Sequence, residues 1–227
     1  MELGPGEPAA GPWRVEPIAV FARALADRAG TPHGRPRLIA VDGRGGSGKT
    51  ALAGRLGRVL EAAVVHSDHV AWGHSRFGWD DLMADGVLAP LRAGRPVHYR
   101  PPGWDRDAPP GRDGPDSHLD VVPGETVIVE GVGAGRRSLA GLVDVVVWVQ
   151  SDLRAARRRG LRRDLAEGRP ADDLARNWDE WEAEEVPFLL GDRPWERADF
   201  VVGTDAVPHD AETEVVVATN PRAGSAG

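Results

Sequence analysis

The sequence predicts an α/β fold: a parallel β-sheet flanked by helices in three αβα layers. Three observations predict it. Short, strongly apolar runs recur at Leu38–Val41, Ala63–His66, Thr126–Val129, Val143–Val149 and Phe200–Val202, and strands buried on both faces read as such runs. Helical periodicities lie between them, the alternation that marks a parallel sheet. A glycine-rich turn joins the first run to a helical stretch, and ligands of such sheets bind at the carboxyl ends of the strands.

The elements follow in order. Residues 1–14 are rich in Gly and Pro and read as a disordered tail. One domain is expected over residues 15–204. It opens with a helix over Val15–Ala29, whose Ile18, Phe21, Ala22 and Leu25 recur at i, i+3, i+4 and i+7. A second helix runs from Lys49 to about Leu60, and a third over Trp79–Ala93. Arg100–Gly124 carries six prolines and is expected to be irregular; residues of about 68–124 form the acceptor-site region. Ser151–Gly168 reads as an Arg-rich helix, with the lid at about 152–170, and Ala171–Leu190 as a Trp- and acid-rich one. Residues 205–227 read as a C-terminal tail, with an added edge strand at Glu214–Ala218 as the alternative. No internal repeat is present.

Composition removes several classes. The net charge is −7, and an acidic chain is a poor binder of nucleic-acid backbone. Without cysteine there is no disulfide framework, thiolate nucleophile or Cys-ligated metal. No apolar run approaches the length of a membrane span, so no membrane partner is expected. The first residues lack the basic and apolar regions of a signal peptide, and a cytoplasmic location is the default expectation. A homo-oligomeric state is left open. Of 28 basic residues, one is lysine, Lys49, and 27 are arginine.

Asp42-Gly43-Arg44-Gly45-Gly46-Ser47-Gly48-Lys49-Thr50 satisfies G-x-x-x-x-G-K-[ST] between a strand and a helix, the signature of a P-loop NTPase. Glycines free the backbone so that consecutive N–H groups can face phosphate oxygens, and the helix start adds its positive dipole end. Gly43, Gly45, Gly46, Ser47, Gly48, Lys49 and Thr50 are thus candidates for holding ATP. Lys49 supplies a compact point charge, where a planar guanidinium would not fit. Thr50 offers a hydroxyl to Mg²⁺.

Other strand ends add carboxylates. Asp68 follows the second strand, placed to accept a hydroxyl proton or to hold Mg²⁺; its neighbours His66 and His69 read as solvent or packing residues. Glu130 ends an apolar strand as a Walker-B-type carboxylate does, a further Mg²⁺ candidate. Arg154, Arg157, Arg158 and Arg162 form a helical stripe. It reads either as a lid that offers guanidinium groups to phosphoryl oxygens or as a solvated face paired with the acids of 179–185. Trp72, Trp79 and Trp104 could wall an acceptor pocket or belong to the core. Trp178, Trp181 and Trp195 read as packing residues.

The ordered set of motifs resembles uridine kinase and related members of the phosphoribulokinase/uridine kinase family, from about Leu38 to Val202. The set comprises Asp42-Gly43 with Gly46 to Thr50, Asp68, Trp79-Asp80, Leu91 with Gly94 and Val97, Trp104-Asp105, Val129 to Gly131, Arg163-Asp164, Pro187 and Ala198-Asp199. The resemblance implies a kinase in which Asp68 activates an acceptor hydroxyl and Thr50 and Glu130 hold Mg²⁺. It also implies phosphate-facing lid arginines at Arg154, Arg157 and Arg163, and acceptor contacts at Trp104 and Asp105. Two stretches depart from it. Uridine kinases have Asn-Phe-Asp-His-Pro where this chain has Trp72-Gly73-His74-Ser75-Arg76. After Asp105 stands Arg106 instead of Phe, and Pro109 is near the place of a base-contacting His. The expectation is ATP- and Mg²⁺-dependent phosphoryl transfer to a hydroxyl of a small molecule, with a nucleoside as first acceptor. The alternatives are a sugar, vitamin precursor or antibiotic acceptor, or a nucleotide-binding regulator.

Overall fold

The computed structural model describes residues 1–112, 114 and 116–219. In chain order the elements are β1 (Arg14–Pro17), α1 (Ile18–Ala29), β2 (Arg37–Gly43), α2 (Lys49–Leu60), β3 (Ala63–His66), α3 (Ser67–Ala71), α4 (Asp80–Met83), α5 (Ala89–Arg92), β4 (Val97–Tyr99), β5 (Leu119–Val121), β6 (Thr126–Glu130), β7 (Val145–Gln150), α6 (Leu153–Ala166), α7 (Ala171–Asp192), β8 (Phe200–Gly203) and β9 (Glu214–Thr219). A π-helical turn, Ala84–Leu88, joins α4 to α5.

Seven strands form the main sheet, ordered β1-β9-β8-β7-β2-β6-β3. The five from β8 to β3 are mutually parallel; β9 runs antiparallel to both β8 and β1. The predicted parallel sheet flanked by helices is thus borne out as a mostly parallel one, with β9 and β1 added to it in antiparallel pairing. Alternation along each central strand divides two cores between its faces. Leu38, Ala40, Val127, Val129, Val146 and Trp148 meet Trp79, Met83, Leu88 and Leu91 on one face. Ile39, Val41, Ile128, Val145, Val147 and Val149 meet Phe21, Leu25, Leu52 and Leu56 on the other. Asp144 ties β2 to β7 at their starts: it accepts both Arg35 Nη groups at 2.8 Å and the Leu38 N–H at 2.9 Å. Burial pulls its carboxyl upward, but the Arg35 bonds outweigh this and hold it below the usual range.

Three expectations are corrected. Residues 1–14 do not form a disordered tail: residues 2–10 pack along the end of β7, with Glu7 buried, and Arg14 begins β1. The Val15–Ala29 helix therefore starts three residues later. The segment from 205 is not merely a tail, because β9 lies inside the sheet between β1 and β8; residues 220–227 fall outside the described residues. The stretch 100–124, expected to be irregular throughout, contributes β5, which pairs with β4; Asp113 and Pro115 are not described. Among the described residues no helix is long and apolar enough to cross a membrane.

α6 and α7 pack closely at Gly160. A Cβ there would lie 1.9 Å from the Trp178 ring, so only glycine lets the two helices approach this far. Gly160→Ala is expected to destabilise the protein by about 1–3 kcal/mol through overpacking, read as a fall in the thermal midpoint.

Candidate active site

Register builds the site. Glu130, the last residue of β6, stands opposite Val41 of β2 and His66 of β3. The carboxyl ends of three parallel strands therefore bring the glycine-rich loop, Glu130 and the Ser67–Ala71 turn to one edge of the sheet. The loop leaves β2 at Gly43 and enters α2 at Lys49, with Gly48 as the N-cap at φ 99°. Gly46 has φ 72°, and a Cβ there would lie 2.2 Å from the Ala156 carbonyl oxygen, so this position admits no side chain.

Within the loop, the Arg44 carbonyl accepts from the Ser47 N–H at 3.1 Å and from Lys49 Nζ at 3.3 Å. The Gly45 N–H donates to Glu185 Oε1 of α7 at 2.7 Å, and Trp181 Nε1 donates to the same oxygen at 3.1 Å. Asp42 sits beneath the loop, fully buried, and accepts from the N–H groups of Gly43, Gly133 and Gly135 at 2.7, 2.8 and 2.9 Å. Burial pushes its carboxyl up to about 6, against the pull of those bonds and of Lys49. Asp42 thereby joins the start of the phosphate loop to the turn that follows Glu130.

Thr50 Oγ1 lies 3.2 Å from both Glu130 carboxylate oxygens, and His66 Nδ1 donates to Glu130 Oε1 at 2.5 Å. Burial acts to raise the Glu130 pKa. The His66 hydrogen bond and the Lys49 charge overcome it and hold the carboxyl below its ordinary value. The same bond to Glu130 raises His66. His66 therefore orients Glu130, a role the sequence reading did not give it. Among the described residues no three His, Asp or Glu side chains gather as a metal cage. One hydroxyl and one ionised carboxylate at the edge of a phosphate loop nonetheless fit Mg²⁺, which keeps waters and takes phosphate oxygens for its remaining positions.

A cavity of about 510 Å³ opens beside the loop. Gly45, Gly46 and Lys49 form one wall, Asp68 and Trp72 a second, and Arg163 a third, so these predicted residues are brought together. Asp68 reaches it from the first turn of α3, directly after β3. The remaining wall was not foreseen: Arg76, Arg169 and Asn177, together with Trp178 and Trp181, which read from the sequence as packing residues. Their sequence signal was faint, since the i, i+3 spacing of Trp178 and Trp181 does not say which side of α7 the cavity occupies.

Five predicted residues lie elsewhere. Trp79 is in the core, donating from Nε1 to the Arg76 carbonyl at 3.0 Å, with the Arg136 guanidinium 4.2 Å above its ring. Trp104 is also buried and donates to the His69 carbonyl at 2.7 Å. Asp105 pairs with Arg100 at 2.9 Å. Arg157 is committed to α7 through Asp179 at 2.6 Å and Glu182 at 2.8 Å, the paired-face alternative for the arginine stripe. Arg154 is 75% exposed and pairs with Glu2 at 2.8 Å.

Comparison with solved structures places the fold. A protein from Silicibacter described as a fructose transport system kinase superposes with a TM-score of 0.56 at 19% identity, over 76% of this chain and 95% of the other. The D-glycerate 3-kinase of Cryptococcus neoformans gives a TM-score of 0.50 at 13% identity, over 87% of this chain and 96% of the other. A Bacillus stearothermophilus protein described as a uridine kinase gives 0.49 at 19% identity, over 81% and 96%. No protein-family model and no curated protein matches the chain in sequence. The chain shares the fold of the first two structures; here it is a mostly parallel sheet flanked by helices.

Proposed function

We propose that this protein is a small-molecule kinase that moves the terminal phosphoryl group of ATP to a hydroxyl. One observation carries the reading: Lys49 and the loop residues Gly45 and Gly46 share a single cavity with the carboxylate of Asp68. A loop that binds phosphate would alone serve a switch or a carrier. A carboxylate facing it supplies the base that an acceptor hydroxyl needs. The names of the two superposed kinases agree with the reaction class.

In this mechanism the loop N–H groups and the dipole of α2 hold the phosphates. Lys49 leaves the Arg44 carbonyl for the phosphate oxygens. Asp68 takes the acceptor's hydroxyl proton as the new O–P bond forms and the bond from the γ-phosphorus to the bridging oxygen breaks, with ADP leaving. Arg163 and Arg169, which line the same cavity, are the arginines offered to the equatorial oxygens as they gather charge. Thr50 and Glu130 would hold Mg²⁺, which neutralises phosphate charge when bound. Glu130→Gln leaves shape and volume unchanged but removes the charge, and is expected to weaken Mg²⁺ binding by about 10- to 100-fold, measured by Mg²⁺ titration of nucleotide binding and of turnover.

Trp72, Trp178 and Trp181 line the cavity, and aromatic walls favour a planar group. A nucleoside is therefore the first acceptor to try, with sugars and hydroxy acids next. An assay coupling ADP release to such a panel tests the proposal. Acceptor-dependent ADP release supports it. Nucleotide binding with no release for any acceptor would favour the regulator reading instead.

A further inference from the structure

Besides Asp42 and Glu185, the phosphate loop has a further buried carboxylate against it, Glu7, from a part of the chain outside every motif. Arg44 occupies a loop position at which the motif accepts any residue. Its side chain is 3% exposed and lies under the N-terminal segment rather than in the cavity. Arg44 Nε donates to Glu7 Oε2 at 3.2 Å, and Nη2 reaches the Pro5 carbonyl at 3.5 Å. Gly4 leaves room for the guanidinium, since a Cβ there would lie 2.0 Å from it. Nη1 is buried without a hydrogen-bond partner, so Glu7 is the group that answers the charge.

Glu7 is itself fixed by the sheet. Its side chain is 1% exposed, and Oε1 accepts from Trp148 Nε1 at 2.6 Å and from Gln150 Nε2 at 3.1 Å, both on β7. The Gln150 amide also binds the segment's backbone, through the Pro8 carbonyl at 2.9 Å and the Ala10 N–H at 3.1 Å. At the other end, the Glu2 backbone exchanges bonds with Asp152 and Leu153 at the start of α6, each at 2.8 Å. Three side chains, one from the loop and two from β7, thus hold the Glu7 carboxylate at one place.

We infer that residues 2–10 are a working part of the nucleotide site, and that Glu7 is a positioning residue for the phosphate loop. It acts through Arg44, whose backbone carbonyl receives both the Ser47 N–H and the Lys49 ammonium. Fixing the Arg44 side chain fixes the carbonyl that sets the loop's curvature and the resting place of Lys49. The inference rests on the reading of this loop as the phosphate site, and on no particular acceptor.

The test is calorimetric titration of the full-length chain with ADP in Mg²⁺, alongside thermal unfolding. If the wild-type protein does not bind ADP, the nucleotide-site reading itself fails. If it does, Glu7→Gln is expected to raise the ADP Kd about tenfold or more at temperatures where the variant remains folded. In an Arg44→Ser background Glu7→Gln should add less than twofold, because the coupling passes through Arg44. A Glu7→Gln protein with a lowered melting midpoint but a Kd within twofold of wild type would overturn the inference. So would full additivity in the Arg44→Ser background. Should Glu7→Gln fail to fold, Gly4→Ala displaces the guanidinium while keeping the carboxylate. It is expected to weaken ADP binding comparably, and unchanged affinity would again overturn the inference.

Discussion

Lys49→Arg is expected to lower turnover by about 100- to 1,000-fold, the cost of removing one aimed donor from a charge-stabilising site. The substitution keeps the charge, so the loss isolates geometry. Lys49 lines the cavity and has its ammonium 3.3 Å from a loop carbonyl, inside a turn whose Gly46 has no room even for a methyl group. A guanidinium is broader, planar and obliged to make its bonds as a fork. The chain itself supplies a comparison: wherever charge alone is wanted it uses arginine, 27 times in 28. A bias of the chain toward arginine does not determine where its one lysine stands. Single-turnover kinetics with ATP, together with the ADP Kd, check the prediction. A variant within threefold of wild type in both would mean that Lys49 does not clamp phosphate.

Asp68→Asn is expected to lower turnover by about 100- to 10,000-fold while leaving nucleotide affinity nearly unchanged. The asparagine preserves volume and one acceptor oxygen but cannot take a proton. Asp68 is separated in function from the other carboxylates by its partners. Glu130 is engaged by Thr50 and His66, Asp42 by three glycine N–H groups, and Glu185 by Gly45 and Trp181. Asp68 and Asp164 line the cavity; Asp164 is engaged by Arg163 and Trp178, which leaves Asp68 as the proposed base. The same assay on Lys49→Arg and Asp68→Asn gives opposite patterns: the first changes nucleotide binding or transfer, the second transfer alone. An Asp68→Asn protein of near wild-type activity would remove the base from this mechanism.

What could be read from the sequence was what local pattern controls. β2, β6 and β7 are apolar on both faces and announce themselves as central strands. The loop from Gly43 to Thr50 is contiguous, so its spacing alone reveals it. Side chains whose meaning depends on a distant element were opaque. The stripe of Arg154, Arg157, Arg158 and Arg162 fixes a face of α6 but not what that face meets, and α7 claims Arg157 through Asp179 and Glu182. Trp79 and Trp104 lie where aromatics could have lined the cavity, yet their indole N–H groups are satisfied by backbone carbonyls within the core. Residues 2–10 have the composition of a tail. They are ordered by Trp148 and Gln150, 140 or more positions away along the chain, and no local rule reaches that far. β1 and β9 stabilise each other as partners in the sheet, so neither segment was a secure strand when read alone.

One helix has duties at several places at once. α7 takes up Arg157 at Asp179 and Glu182, walls the cavity with Trp178 and Trp181, grips the Gly45 amide with Glu185 and enters the core at Leu189. Trp178, Trp181 and Glu182 lie on α7 before its internal Pro187, and Trp181 donates to the same Glu185 oxygen that accepts the Gly45 N–H, so a shift of these side chains reaches the loop. Under the proposed function, acceptor recognition and nucleotide retention are therefore expected to be mechanically geared to each other. In the proposed kinase, reshaping Trp178 or Trp181 to retune acceptor choice is expected to register at the glycine-rich loop as well, read as a change in the ADP Kd.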